Sequence, residues 1–208
     1  MTKPATNKAP DGREVRVALG GLEVRAAGEA SATRTVTGYA AVFNSEADIY
    51  GCWIETIAAG AFARSLKEND VVALYHHDGA RVLGRMSAKT LRIKEDAKGL
   101  AIEIDLPDTT DGRDLAVSIE RKDVTGMSFG FTTRKQEWDE TVEPPKRTIL
   151  DVDLVEVTVT AFPAYTDTEV GLRSLEGARA ERRQHNQVGA LTRMAARRAR
   201  QAQLERGI

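Results

Sequence analysis

Apolar and polar residues alternate in Glu14 to Ala18 and again in Leu22 to Ala26, which predicts two short strands around a Gly20-Gly21 turn. Arg34 to Phe43 extends the pattern, with Val36, Tyr39, Ala41 and Phe43 set among small and polar residues. From Ile57 the spacing turns helical: Ala58, Ala61, Phe62 and Leu66 share one face, and Glu68-Asn69-Asp70 ends the segment. Val71 to Tyr75 is a short apolar run rich in strand formers, and it leads straight into His76-His77-Asp78-Gly79. The two histidines therefore stand where a strand exits.

Thr90 to Lys94 and Leu100 to Leu106 alternate as well, joined by a polar connection through Glu95 and Gly99 that reads as a hairpin. Pro107 stops the second of them, and Asp108 or Thr109 caps a helix running through Leu115 and Ile119 to Lys122-Asp123. Gly126 to Thr133 is extended, Trp138 to Pro145 is a polar loop, and Thr148 to Phe162 is a Val/Ile/Thr-rich strand ended by Pro163. A last strand-like piece covers Glu169 to Leu172. Strands outnumber helices and no regular helical crossover separates them. The expected class is mixed β/α: a sheet or barrel with helices packed around it, and not a doubly wound parallel sheet.

Composition narrows the setting. No apolar run approaches the roughly 18 to 20 residues that span a bilayer, so a soluble chain without membrane contact is expected. Met1 to Gly12 is polar, carries Lys3, Pro4, Lys8 and Pro10, and has no apolar h-region, so it reads as a flexible leader and not as an export signal. Cys52 is the single cysteine, which excludes an internal disulfide and suits a reducing cytoplasm. Three scattered histidines without cysteine support make no ligand set, so no metal or organic cofactor is expected. Between Glu176 and Ile208 eight arginines stand against three glutamates, about +5, against a formal net charge of -1 for the whole chain. This tail is expected to be a basic helical or disordered extension. It has no aromatic residue to stack on bases, so nucleic acid is not an expected partner.

Candidate chemistry is sparse. Gly126-Met127-Ser128-Phe129-Gly130 matches G-x-S-x-G, but a hydrolase nucleophile elbow needs a helix after the serine and a later histidine. Here the segment after Ser128 is extended, and the later His185 lies in the basic tail. An activated Ser128 therefore takes its base from His76 or His77. In a continued strand Val72, Leu74 and His76 share one face and Ala73, Tyr75 and His77 the other, so only one imidazole reaches a common pocket. Gly126 and Gly130 also have a plain reading, as a turn residue and a site of relieved crowding. For a third group, Asp151 and Asp153 fall on one face of their strand, and Glu156 on the opposite face with Leu154 and Thr158. Burying an acid there is costly unless it is paired.

Taken in order, these pieces resemble the prohead serine proteases of tailed bacteriophages. The matching runs are Gly38 to Ser45, Ile57 to Phe62, His77-Asp78 followed by Val82 to Arg85, Gly99-Leu100, Gly126 to Phe131, and Asp153 to Thr158 leading into Phe162 to Tyr165. The resemblance implies Ser128 as catalytic serine and His77, the histidine before an aspartate, as base. It implies Glu156, in preference to Asp153, as the acid. It also implies the fold of the herpesvirus assembly proteases, a β-barrel surrounded by helices, over a protease domain at 13–175 between a leader at 1–12 and a tail at 176–208. The implied activity is cleavage of the major capsid protein precursor or scaffold, and of the protease itself, inside a procapsid assembling in the host cytoplasm. A homodimer is implied, and the tail becomes a packaging or scaffold-contacting segment removable by self-cleavage. The alternative to this reading is a capsid-assembly scaffold protein with a protease-like fold and a dead site.

Overall fold

The structure, a computed structural model, describes residues 12–19, 22–25, 34–49 and 51–161. These lie in the first of two units into which the chain divides, Met1–Thr168; the second is Glu169–Ile208. The expected Gly20-Gly21 turn, the Glu169 to Leu172 strand, His185 and the basic tail lie outside the described residues, as does most of the leader.

The chain opens with β1 (Glu14–Leu19), β2 (Glu23–Arg25), β3 (Thr35–Val42), β4 (Ala47–Ile49) and β5 (Trp53–Ile57). A single helical turn α1 (Ser65–Glu68) precedes β6 (Val72–Tyr75), β7 (Asp78–Arg85), β8 (Leu91–Glu95) and β9 (Gly99–Asp105). Helix α2 (Thr110–Glu120) then leads to two long strands, β10 (Gly126–Asp139) and β11 (Lys146–Thr160). Thr109 caps α2, its side chain accepting from the Gly112 N–H, as the sequence predicts.

The strands form two sheets. In the larger, β1, β10 and β11 run antiparallel in that order. The far side of β11 pairs in parallel with β5 over residues 146–149 and with β6 over residues 156–159. Strands β4 and β7 complete its margins. The smaller sheet, β2-β3-β9-β8, is antiparallel throughout. The observed class is a strand-rich mixed α/β fold with few helices, as expected, and neither sheet closes on itself among the described residues. The core lies between the sheets, where Phe62, Phe129, Phe131, Ile102, Leu115 and Val157 are fully buried.

Three expectations need correction. The helix predicted over Ile57 to Leu66 is replaced by turns, with α1 beginning only at Ser65. Gly60 takes φ +90°, which a helix cannot follow, and the backbone there serves tertiary bonds: Phe62 N–H to Glu95 Oε1 and Val152 N–H to the Ala61 carbonyl. Trp138 sits inside β10 and not in a loop. Strands β4, β5 and β7 were not expected: β4 has three residues and β5 five, β7 is rich in Gly, Asp and Arg, and pairing with neighbours defines all three.

A buried ionic network ties the larger sheet together. Arg147 of β11 is wholly buried and donates to Glu14 of β1 at 2.6 and 2.9 Å, to Glu55 of β5 at 2.8 Å, and to Thr133 and Gln136 of β10 at 3.0 and 2.6 Å. Arg16 bridges Glu55 and Glu14 at 2.6 and 2.8 Å. Two guanidinium and two carboxylate groups thus balance, and four adjacent strands share them. Burial raises the Glu14 pKa, but the hydrogen bonds and charges of Arg147 and the charge of Arg16 outweigh it and bring it to about 2.

Breaking a buried pair from one side leaves uncompensated charge, so Arg147→Met should lower the stability measured by urea denaturation at pH 7 by about 3–5 kcal/mol. The Glu14 pKa is lower in the folded chain, so its contribution is complete above about pH 4.5 and is lost as pH falls from there towards 2. That loss amounts to about 3 kcal/mol, and Glu14→Gln should flatten the stability profile over this interval. An unchanged profile contradicts the assignment.

Candidate active site

Glu156 is 1% exposed in the middle of a sheet, so its charge requires compensation. A β-bulge at Val155 decides where it points. Gly130 pairs with Glu156 and Phe131 with Leu154, leaving Val155 without a partner on β10. The extra residue breaks the alternation expected from the sequence. Glu156 lies opposite Leu154 in facing, and by register it shares the face of Asp153. The two acids nevertheless have separate partners. Asp153 is held by Arg64 at 2.6 Å and by Arg134, and Asp151 by Arg64 at 3.1 Å, whereas Glu156 receives His77.

His77 reaches Glu156 from a turn. Tyr75 pairs with Asp78, so His76 and His77 are the two central residues of a hairpin, and both have positive φ, 52° and 59°. That is a type I′ turn, which normally selects Asn and Gly. Alternation along β6 therefore stops at Tyr75, and the predicted division of the histidines between two faces does not apply. The His77 Nδ1 lies 2.7 Å from Glu156 Oε1. A bond of that length to a carboxylate puts the proton on Nδ1 and leaves Nε2 as the basic nitrogen. Nε2 is buried without a hydrogen-bond partner among the described residues. His76 has another role: its backbone N–H donates to the Val159 carbonyl, and its Nδ1 lies 3.2 Å from Thr160 Oγ1. Burial, then the positive charges of Arg81 and His77, push the His76 pKa down.

Ser128 stands on the neighbouring strand. It pairs across β10 and β11 with Thr158, two positions from the Gly130–Glu156 pair, so Ser128, Gly130, Glu156 and Thr158 share one face. Diagonal neighbours of this kind lie roughly 7–8 Å apart at Cα. Ser128 is wholly buried, and its Oγ donates to the Arg16 carbonyl at 2.9 Å. The structure thus joins His77 directly to Glu156 and sets Ser128 on the same face of the sheet, with its hydroxyl turned to β1. A change of its χ1 rotamer redirects that hydroxyl.

The carboxylate is held on both oxygens. Thr158 Oγ1 donates to Glu156 Oε2, while Arg13 Nη2 donates to Oε1 at 2.5 Å, the oxygen His77 also uses. Burial raises the Glu156 pKa, but the bond and charge of His77, the Thr158 hydroxyl and the charge of Arg13 hold it below the usual carboxylate value. Glu156 is therefore ionised at neutral pH, suited to fixing one tautomer of His77 and stabilising its cation. Sequence reasoning missed Arg13 and the bonding role of Thr158. Arg13 carries no local signal, because its partner is 143 residues away.

Residues 21–182 match the family described as caudovirus prohead serine protease. The prohead protease of Enterobacteria phage HK97 is 30% identical over 149 residues, covering 67% of this chain and 60% of that protein. The chain thus spans 60% of the length of this curated relative. The bacteriophage T4 capsid assembly protease has a similar structure, with a TM-score of 0.52 over 73% of this chain and 98% of the T4 chain. At 9% sequence identity that likeness bears on the fold alone.

The type I′ turn makes a direct prediction. Asn tolerates left-handed backbone and Val does not, so His76→Asn should be more stable than His76→Val by about 1–2 kcal/mol in urea denaturation. Equal stabilities contradict positive φ at this position.

Proposed function

The chain belongs to the caudovirus prohead serine protease family, and we propose that it is a serine endopeptidase acting through Ser128, His77 and Glu156. Its substrates are the major capsid protein precursor or scaffold and its own chain, inside a procapsid assembling in the host cytoplasm. The observation that carries this reading is the 2.7 Å contact between His77 Nδ1 and buried Glu156, which leaves Nε2 buried and without a partner among the described residues, beside the face that bears Ser128.

In the proposed reaction the Ser128 hydroxyl leaves the Arg16 carbonyl and turns to His77 Nε2. His77 takes its proton as Oγ attacks the peptide carbonyl, and Glu156 stabilises the imidazolium. The tetrahedral intermediate collapses as His77 returns the proton to the departing amine, which leaves an acyl-serine. A water deprotonated by His77 then attacks the ester, and the proton passes back to Ser128 as the new carboxyl terminus departs. The reading carries the barrel of the assembly proteases with it: β3 of the smaller sheet lies against β1 and β10 of the larger, where the two sheets would meet as walls of one barrel. A homodimer and a basic tail released by self-cleavage complete the proposal.

One observation favours a rival, a dead-site assembly scaffold: Ser128 Oγ donates to a backbone carbonyl and not to His77. Co-expression with the capsid precursor, followed by mass measurement of the products, separates the two. The wild-type chain should trim the precursor, Ser128→Ala and His77→Ala should abolish trimming, and Glu156→Gln should slow it by about 10³–10⁴-fold. Trimming that survives Ser128→Ala removes the proposed nucleophile. A wild-type chain that neither trims nor labels at Ser128 with a fluorophosphonate supports the scaffold.

A further inference from the structure

Arg13 is anchored by its neighbour. Glu14 points into the buried network with Arg147 and Arg16, so Arg13, one residue earlier, falls by alternation on the opposite face of the sheet, where Glu156 lies. Its guanidinium crosses directly over Gly130. A Cβ at position 130 would stand 2.5 Å from Arg13 Nη2, 2.6 Å from Arg13 Nε and 2.8 Å from Glu156 Oε1. Gly130 has no left-handed φ to explain it. The glycine leaves space on this face, and the space is filled by this ion pair.

The arrangement around Glu156 gives the pair a purpose. Oε1 accepts from both Arg13 Nη2 and His77 Nδ1, while Thr158 holds Oε2. Without Arg13 the carboxylate would be tethered on that side only by the imidazole it has to orient. Arg13 Nε and His77 Nε2 are both buried without hydrogen-bond partners among the described residues. We propose that Arg13 is a positioning residue of the protease, holding Glu156 in the rotamer that orients His77 toward Ser128, and that Gly130 serves to admit it. The proposal rests on the Ser128–His77–Glu156 reading and adds a fourth residue to it.

The test is the rate at which a fluorophosphonate modifies Ser128 in the full chain, resolved into the maximal rate and the half-saturating probe concentration. Arg13→Ala should lower the maximal rate by about 10–100-fold, because a displaced base costs on that scale, and leave half-saturation unchanged. Arg13→Lys, which keeps the charge without the fork, should fall between. Guanidinium ion, added far below denaturing concentrations, should restore Arg13→Ala by occupying the vacated space over Gly130 and leave the wild type unaffected. Arg13 is 32% exposed, so its removal should move the melting temperature little. Wild-type labelling with Arg13→Ala equally fast overturns the role of Arg13 alone. So does a loss that follows the unfolded fraction and ignores guanidinium. If the wild type itself never labels at Ser128, the protease reading falls first, and this proposal with it.

Discussion

A carboxylate buried within a sheet has to be neutralised where it stands, and the site around Glu156 follows from that constraint. Every group that meets it supplies a proton or a positive charge: the Thr158 hydroxyl on one oxygen, Arg13 and the His77 imidazole on the other. The bulge at Val155 turns the acid to the required face, the missing side chain at Gly130 lets the guanidinium in, and the left-handed pair His76-His77 brings the imidazole back onto it. The bulge and the left-handed histidines are local departures from ordinary backbone geometry, and such departures gather where the surrounding structure holds them for a purpose.

Strand β1 links this site to the stability of the sheet. On one of its faces Glu14 and Arg16 enter the balanced cluster with Arg147 and Glu55, so the edge strand is fastened to three others by charge-assisted bonds. Arg13 and the Arg16 carbonyl, which meet Glu156 and Ser128, are carried on the same few residues. The ionic cluster thereby gives Arg13, the residue just before β1, a neighbour of fixed position.

Much of this was legible in the sequence. Alternation located β1, β2, β3, β8 and β9, runs of strand formers located β6 and β11, a cap at Asp108 or Thr109 located α2, and the ordered motifs singled out Ser128, His77 and Glu156. What was not legible depends on contacts between distant residues. The period-two pattern assigns Glu156 to the face of Leu154, and only pairing with β10 reveals the unpaired Val155 that reverses it. Ala61 and Phe62 are buried as their apolar spacing suggests, but Gly60 and tertiary hydrogen bonds impose turns there. Gly130 was legible as a site of relieved crowding, but the group that occupies the space, an arginine over a hundred residues away, was not.

Ser128 and His77 are proposed to act together although the resting hydroxyl bonds the Arg16 carbonyl. A crystal structure of the chain after reaction with a fluorophosphonate tests it most directly. Phosphorus is expected on Ser128 Oγ, with the Arg16 bond released and His77 Nε2 within about 3 Å of that oxygen while Nδ1 stays on Glu156. An adduct on another residue, or on Ser128 with His77 still beyond hydrogen-bond reach, would contradict it.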